Sequence, residues 1–137
     1  MKTIKVFLLF VFILIAEVSC KKDKTPDIVG KWKLEKVKLN YYPDDYDSPT
    51  EFDYSGNNII YQFRANGTLK VMSDIGEYMA KKPGEYSYRL KKVTHYTETD
   101  VIVINDGIEY YYTISGNNMT IGDLSGDGPT SYFTRVK

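Results

Sequence analysis

One cysteine and one histidine occur among the 137 residues, and that scarcity removes several kinds of chemistry at once. A lone thiol forms no internal disulfide, and the four-ligand cysteine/histidine zinc sites need more ligands than the chain has. Basic and acidic side chains number 18 each, so the formal charge is zero and no overall field draws the protein to nucleic acid or another polyanion. Heptad runs, G-X-Y repeats and a glycine-rich phosphate cradle between strand and helix are also missing. No stretch after the N-terminal segment has convincing helical periodicity. What is present is 42% hydrophobic and 15% aromatic residues in a chain of one-domain length, which is enough apolar side chain to fold.

Lys2 and Lys5 precede an unbroken apolar run of 11 residues at positions 6–16, too short to cross about 30 Å of hydrocarbon as a helix. A basic start, an apolar middle and the small Ser19 read together as a secretory signal. Val18-Ser19-Cys20 resembles the end of a bacterial lipoprotein signal, although Glu17 stands where that pattern usually has an aliphatic residue. The resemblance implies that residues 1–19 are removed and that Cys20 becomes the lipidated N-terminus. It also implies a membrane partner, held by more than one acyl chain because a single chain anchors only marginally. Residues 20–27 are then a polar tether that includes Pro26. Lys21, in place of an aspartate after the cysteine, fits the sorting rule for outer-membrane release. The charged stretch resembles the surface-export signals of Bacteroidetes lipoproteins, so both periplasmic and surface-exposed orientations stay open.

From Ile28 onward the pattern has period two, broken by turn chemistry. Ile59, Tyr61 and Phe63 alternate with Ile60, Gln62 and Arg64 up to Asn66-Gly67, which reads as a two-residue hairpin turn; Leu69 and Val71 continue beyond it. Tyr86, Tyr88 and Leu90 share a face, residues 101–104 are a β-branched run, and Asn105-Asp106-Gly107 signals a second hairpin. Ile108, Tyr110, Tyr112 and Ile114 follow on one parity, then a turn at residues 115–118, a short strand with Met119 and Ile121, and a last strand marked by Tyr132, Thr134 and Val136. In the first strand Trp32 and Leu34 share one parity and Val37 and Leu39 the other, which predicts a bulge or sharp bend between them. Residues 41–58 lack sustained alternation, carry two prolines and are rich in Tyr and Asp; they read as a long loop. The expectation is all-β, with about eight antiparallel up-and-down strands, each burying one face in a barrel or between two sheets.

Residues 29–34, Val-Gly-Lys-Trp-Lys-Leu, together with Phe63-Arg64-Ala65-Asn66-Gly67-Thr68 and the closing Tyr132-Phe133-Thr134-Arg135-Val136, carry a second resemblance. They look like the lipocalin-like domains of Bacteroidetes lipoproteins, over residues 28–137. The resemblance implies a lipocalin-like barrel in which Gly30 and Trp32 close one end and Arg135 packs over the indole.

Tyrosine is the least ordinary part of the composition, with 13 copies. Tyr61, Phe63, Tyr86, Tyr88, Tyr110 and Tyr112 fall on the apolar parity and are the candidate lining of an aromatic cup for a small hydrophobic or flat ligand. The competing reading is that these rings simply fill a small barrel. Asp123, Ser125 and Asp127 have the spacing of the first half of a calcium loop, but Thr134 stands where the bidentate acid belongs, so the stretch reads as an ordinary loop. Asp44, Asp45, Asp47, Glu51 and Asp53 read as a solvated acidic loop, and His95 lacks any nucleophile or metal-ligand context. No cofactor, metal or nucleic-acid partner is expected, and no catalytic residue is assigned. Two functions follow: a lipid-anchored envelope protein whose barrel holds a small hydrophobic ligand, or a filled barrel that docks another envelope protein through its Tyr/Asp-rich loop.

Overall fold

The computed structural model describes residues 25–40, 50–76, 80–94, 97–105, 107–123 and 128–137. Cys20, His95, the acidic stretch 44–47 and Ser125 and Asp127 therefore lie outside the described residues. The described elements are all strands: β1 (Gly30–Lys38), β2 (Glu51–Asp53), β3 (Ile60–Phe63), β4 (Thr68–Met72), β5 (Gly84–Thr94), β6 (Glu98–Ile104), β7 (Ile108–Ser115), β8 (Asn118–Asp123) and β9 (Thr130–Arg135). Each pairs antiparallel with its neighbour in the order β2-β1-β3-β4-β5-β6-β7-β8-β9, and β1 also pairs with β9, which closes the sheet.

Nine strands make eight staves. β2 pairs with Lys36–Lys38 of β1 and β3 with Gly30–Lys33, so the two share one edge of β1 as an interrupted stave. The interruption is held by Tyr54 N–H donating to the Glu35 carbonyl (2.7 Å) and Leu34 N–H donating to the Ile59 carbonyl (2.9 Å). The stretch read as a loop over 41–58 thus needs correction: residues 51–53 extend the sheet, although only three residues alternate there.

The phase change in β1 is a bulge. Leu34 faces Phe133 and Lys36 faces Tyr132, which leaves Glu35 as the extra residue. The bulge lets Trp32, Leu34 and Val37 all reach 0% exposure despite their mixed parity.

Turn chemistry accounts for the connections at one end of the barrel. Arg64 N–H donates to the Thr68 carbonyl and Gly67 N–H to the Arg64 carbonyl, with Gly67 at φ +80°. The β3–β4 loop is therefore three residues with glycine in the left-handed position, one longer than the expected two-residue turn. At β7–β8 the turn is Gly116-Asn117 with φ +59° at Gly116 and no positive φ at Asn117, the signs of a type II′ hairpin.

That same end is plugged. The Trp32 indole N–H donates to the Ile28 carbonyl (2.8 Å), and the Arg135 guanidinium lies 4.1 Å from the indole ring centroid. Arg135 also donates to the carbonyls of Val29 and Asp27, tying the incoming chain across the barrel base. Gly30, at φ +141°, leaves room for it: a Cβ there would stand 2.8 Å from Arg135 Nη1. Above the plug, Phe63 and Tyr88 meet edge to face at 5.2 Å, with the Tyr88 hydroxyl donating to the Arg64 carbonyl.

Trp32→Ala should lower unfolding free energy by about 3–5 kcal/mol, whereas Ile108→Ala, at a side chain 54% exposed, should stay within about 0.5 kcal/mol. Urea unfolding of the two variants at neutral pH measures the difference.

Candidate functional site

The opposite end is not filled by the described residues. Antiparallel order places the β1–β2, β4–β5, β6–β7 and β8–β9 connections there, away from the Trp32 plug. Inside that end lies a cavity of ≈ 480 Å³ lined by Tyr61, Ala80, Lys81, Ile104, Tyr110, Ile121, Pro129, Ser131 and Phe133. The volume lies within the usual range for small-molecule sites, about 300–1,000 Å³.

Small residues at inward positions leave the space. Tyr61 pairs with Val71 of β4, and Val71 in turn faces Gly84 of β5, which contributes no side chain. Ile121 of β8 faces Ser131 of β9, again a small inward residue. The floor is aromatic: Tyr61 and Phe133 meet at 4.9 Å with their planes inclined by 62°. Edge-to-face packing of this kind is a favourable arrangement for two aromatic rings, and both rings border the cavity.

Of the six candidate lining aromatics, Tyr61 and Tyr110 border the cavity. Phe63 is buried in the packed lower half against Tyr88, and Tyr112 lies beside the core without bordering the cavity. Tyr86 supports the rim, its hydroxyl donating to the Lys82 carbonyl (2.7 Å). So the hollow and filled readings each describe one half of the same barrel.

Alternation could not find Ala80, Lys81 and Pro129, because connections carry them. Phe133 and Ser131 were legible in principle but fall on the parity opposite to Tyr132, Thr134 and Val136. The structure corrects that parity: Phe133 is buried at 2% exposure and Val136 is 39% exposed. A rule the sequence already held required this, since Arg135 can reach Trp32 only if the odd-numbered positions of β9 face inward.

The electrostatics of the inner surface are simple. Burial pushes the phenols of Tyr88, Tyr110 and Tyr112 above the ordinary tyrosine value, helped by Tyr112 beside Tyr88, Asp123 beside Tyr110 and Asp100 beside Tyr112. These groups therefore stay neutral and act as hydrogen-bonding tips. Burial lowers the pKa of Lys81, whose Nζ sits 4.6 Å from the Tyr86 ring centroid. Its backbone N–H donates to the Tyr61 hydroxyl (2.9 Å), tying the β4–β5 connection to the barrel wall.

Among the described residues no group of three His, Cys, Asp or Glu side chains gathers to hold a metal. Of the acidic positions considered from sequence, Glu51 pairs with Lys36 (3.1 Å), and Asp53 accepts from the Ser55 N–H (2.8 Å).

The raised phenols fix a pH dependence. A tyrosine whose folded pKa exceeds its unfolded value of about 10 favours folding fully below that pH, and the contribution is lost as pH climbs through the folded value. Stability should therefore fall as pH rises above about 10, and less steeply in Tyr110→Phe; urea midpoints measured from pH 8 to pH 11 read the effect.

A protein-family model described as the lipocalin-like domain matches residues 28–121, more than half of the chain. No curated protein and no solved structure matches it. The matched span opens at Ile28, whose carbonyl receives the Trp32 indole, and ends at Ile121 in the cavity wall. Plug, closed antiparallel barrel and family match agree, and the chain belongs to the lipocalin-like domain family.

Proposed function

We propose that the barrel is a binding protein, not an enzyme, which takes a small hydrophobic molecule through its open end. The observation that carries this reading is the ≈ 480 Å³ cavity, walled mainly by apolar and aromatic side chains with a few polar tips. That composition suits a ligand whose affinity comes from apolar burial and whose orientation comes from one or two hydrogen bonds. The rigid aromatic floor supports it further, because a preformed cavity costs little ordering on binding.

In the same reading the protein is lipid-anchored in the cell envelope, at the outer membrane, through Cys20. The signal-like N-terminal sequence supports this, and so does the place where residues 25–29 reach the barrel. They enter beside the Trp32 plug, so a tether attached there leaves the open end unobstructed. Docking to other envelope proteins through residues 41–58 is a second reading that no particular contact favours.

Binding is tested with the neutral fluorophore N-phenyl-1-naphthylamine. Saturable enhancement is expected with the wild type, and about tenfold weaker binding with Ala80→Trp, which puts an indole into the cavity mouth; no enhancement by a cooperatively folded protein would overturn the proposal. For anchoring, Cys20→Ser should move the protein from the membrane fraction to the soluble fraction of its host, and unchanged fractionation would refute lipidation.

A further inference from the structure

Four of the nine residues that border the cavity carry a polar side-chain group: Tyr61, Lys81, Tyr110 and Ser131. Two of them are engaged within the fold. The Tyr61 hydroxyl accepts from the Lys81 N–H at 2.9 Å, and the Lys81 ammonium lies over the Tyr86 ring and has a further interaction besides. The hydroxyls of Tyr110 and Ser131 make no side-chain hydrogen bond to any described residue.

Among the described residues no fully buried side-chain oxygen or nitrogen lacks a partner, so both open hydroxyls keep an accessible face, and the space they border is the cavity. Register sets their heights. Tyr110 pairs with Asp123, the last residue of β8, at the open end; Ser131 pairs with Ile121, one inward position deeper toward Phe133. Burial and the neighbouring Asp123 carboxylate hold the Tyr110 phenol protonated, so it is a hydrogen-bond donor. A molecule that fills a cavity excludes water from a hydroxyl in the wall and leaves it unpaired unless it brings an acceptor of its own.

The same neighbourhood selects the charge of that acceptor. Asp123 beside Tyr110 opposes an anionic head, and an ammonium head has no lone pair with which to accept. We infer that the ligand is uncharged, with an apolar body between Ile104, Ile121 and the Phe133 floor and one acceptor oxygen, carbonyl or hydroxyl, at the Tyr110 hydroxyl. This deepens the hydrophobic-ligand reading above and rests on it.

The probes are 2-acetylnaphthalene and three analogues of similar shape: 2-isopropylnaphthalene, 2-naphthoate and 1-(2-naphthyl)ethylamine. Each competes with N-phenyl-1-naphthylamine for the wild type and for Tyr110→Phe, both first shown to melt cooperatively. In the wild type the ketone should bind about tenfold more tightly than the carboxylate or the ammonium. Tyr110→Phe should weaken the ketone about fivefold and move the hydrocarbon by less than about twofold. A ketone affinity unchanged by Tyr110→Phe, or an equal loss for ketone and hydrocarbon, would overturn the hydrogen bond. A carboxylate or ammonium that binds as tightly as the ketone would overturn the uncharged head. In these cases binding of the hydrocarbon leaves the apolar cavity standing, whereas failure of N-phenyl-1-naphthylamine and all four naphthalenes on the folded wild type would remove both this inference and the ligand reading beneath it.

Discussion

Strand β1 hydrogen-bonds to β9 along one edge and to β3 and β2 along the other, and this double pairing turns a linear run of strands into a closed cylinder. Closure removes most of the exposed sheet edge that would otherwise invite pairing with other chains, and among the described residues the short β2 pairs on one edge alone. It also makes one strand answer to two sets of neighbours, which strict alternation over nine residues does not satisfy. The extra residue at Glu35 resolves the conflict, since it shifts the phase so that Trp32 and Leu34 before it and Val37 after it all point inward. On the other edge, the break between β2 and β3 sits beside the bulge, where Tyr54 and Ile59 turn their side chains into the core.

Among the described residues the barrel is filled from one end, and side-chain size decides where filling stops. Near the chain entry, Trp32, Phe63, Leu34 and Leu69 are buried at no more than 1% exposure, and Arg135 covers the indole. Toward the other end the inward positions include Gly84 and Ser131, and the rings of Tyr61 and Phe133 brace each other instead of meeting across the lumen. An eight-stave barrel has room for little more than its own side chains, so a few small residues on adjacent strands are enough to open a cavity. The large-ring count that makes the sequence look ligand-binding is therefore mostly the reason the lower half is solid.

Much of this was legible from residues alone. Period-two alternation identifies the strands after Ile59, the parity change in β1 identifies the bulge, and Gly116 and Asn105 mark tight turns where the backbone does take positive φ. Three things escaped for definite reasons. The three residues of β2 are too short to alternate. The Asn66-Gly67 pair fits a two-residue turn as well as the three-residue loop that forms, because both place glycine at positive φ. And the cavity rim is made by Ala80, Lys81 and Pro129, whose placement depends on connections and not on a repeating pattern. Site and scaffold differ in this respect: periodicity encodes which face is inside, but the inside face alone does not say at what height the lumen becomes empty.

Val101 and Val103 show the same logic on the outer surface. Both are buried at 2% exposure or less although they alternate with the inward Ile102 and Ile104. Lys91 on β5 is level with Val101, Glu109 on β7 is level with Val103, and the two charged groups join in a salt bridge across β6. Long charged side chains can cover apolar surface with their stems while keeping their heads in water. The continuous β-branched run at residues 101–104 is thus compatible with a single-layer barrel wall, because the flanking strands carry side chains long enough to roof it. A run that would suggest a strand buried between two layers is satisfied by one layer and a pair of bridging charges. An apolar run alone therefore does not distinguish a barrel from a sandwich; the identity of its cross-strand neighbours does.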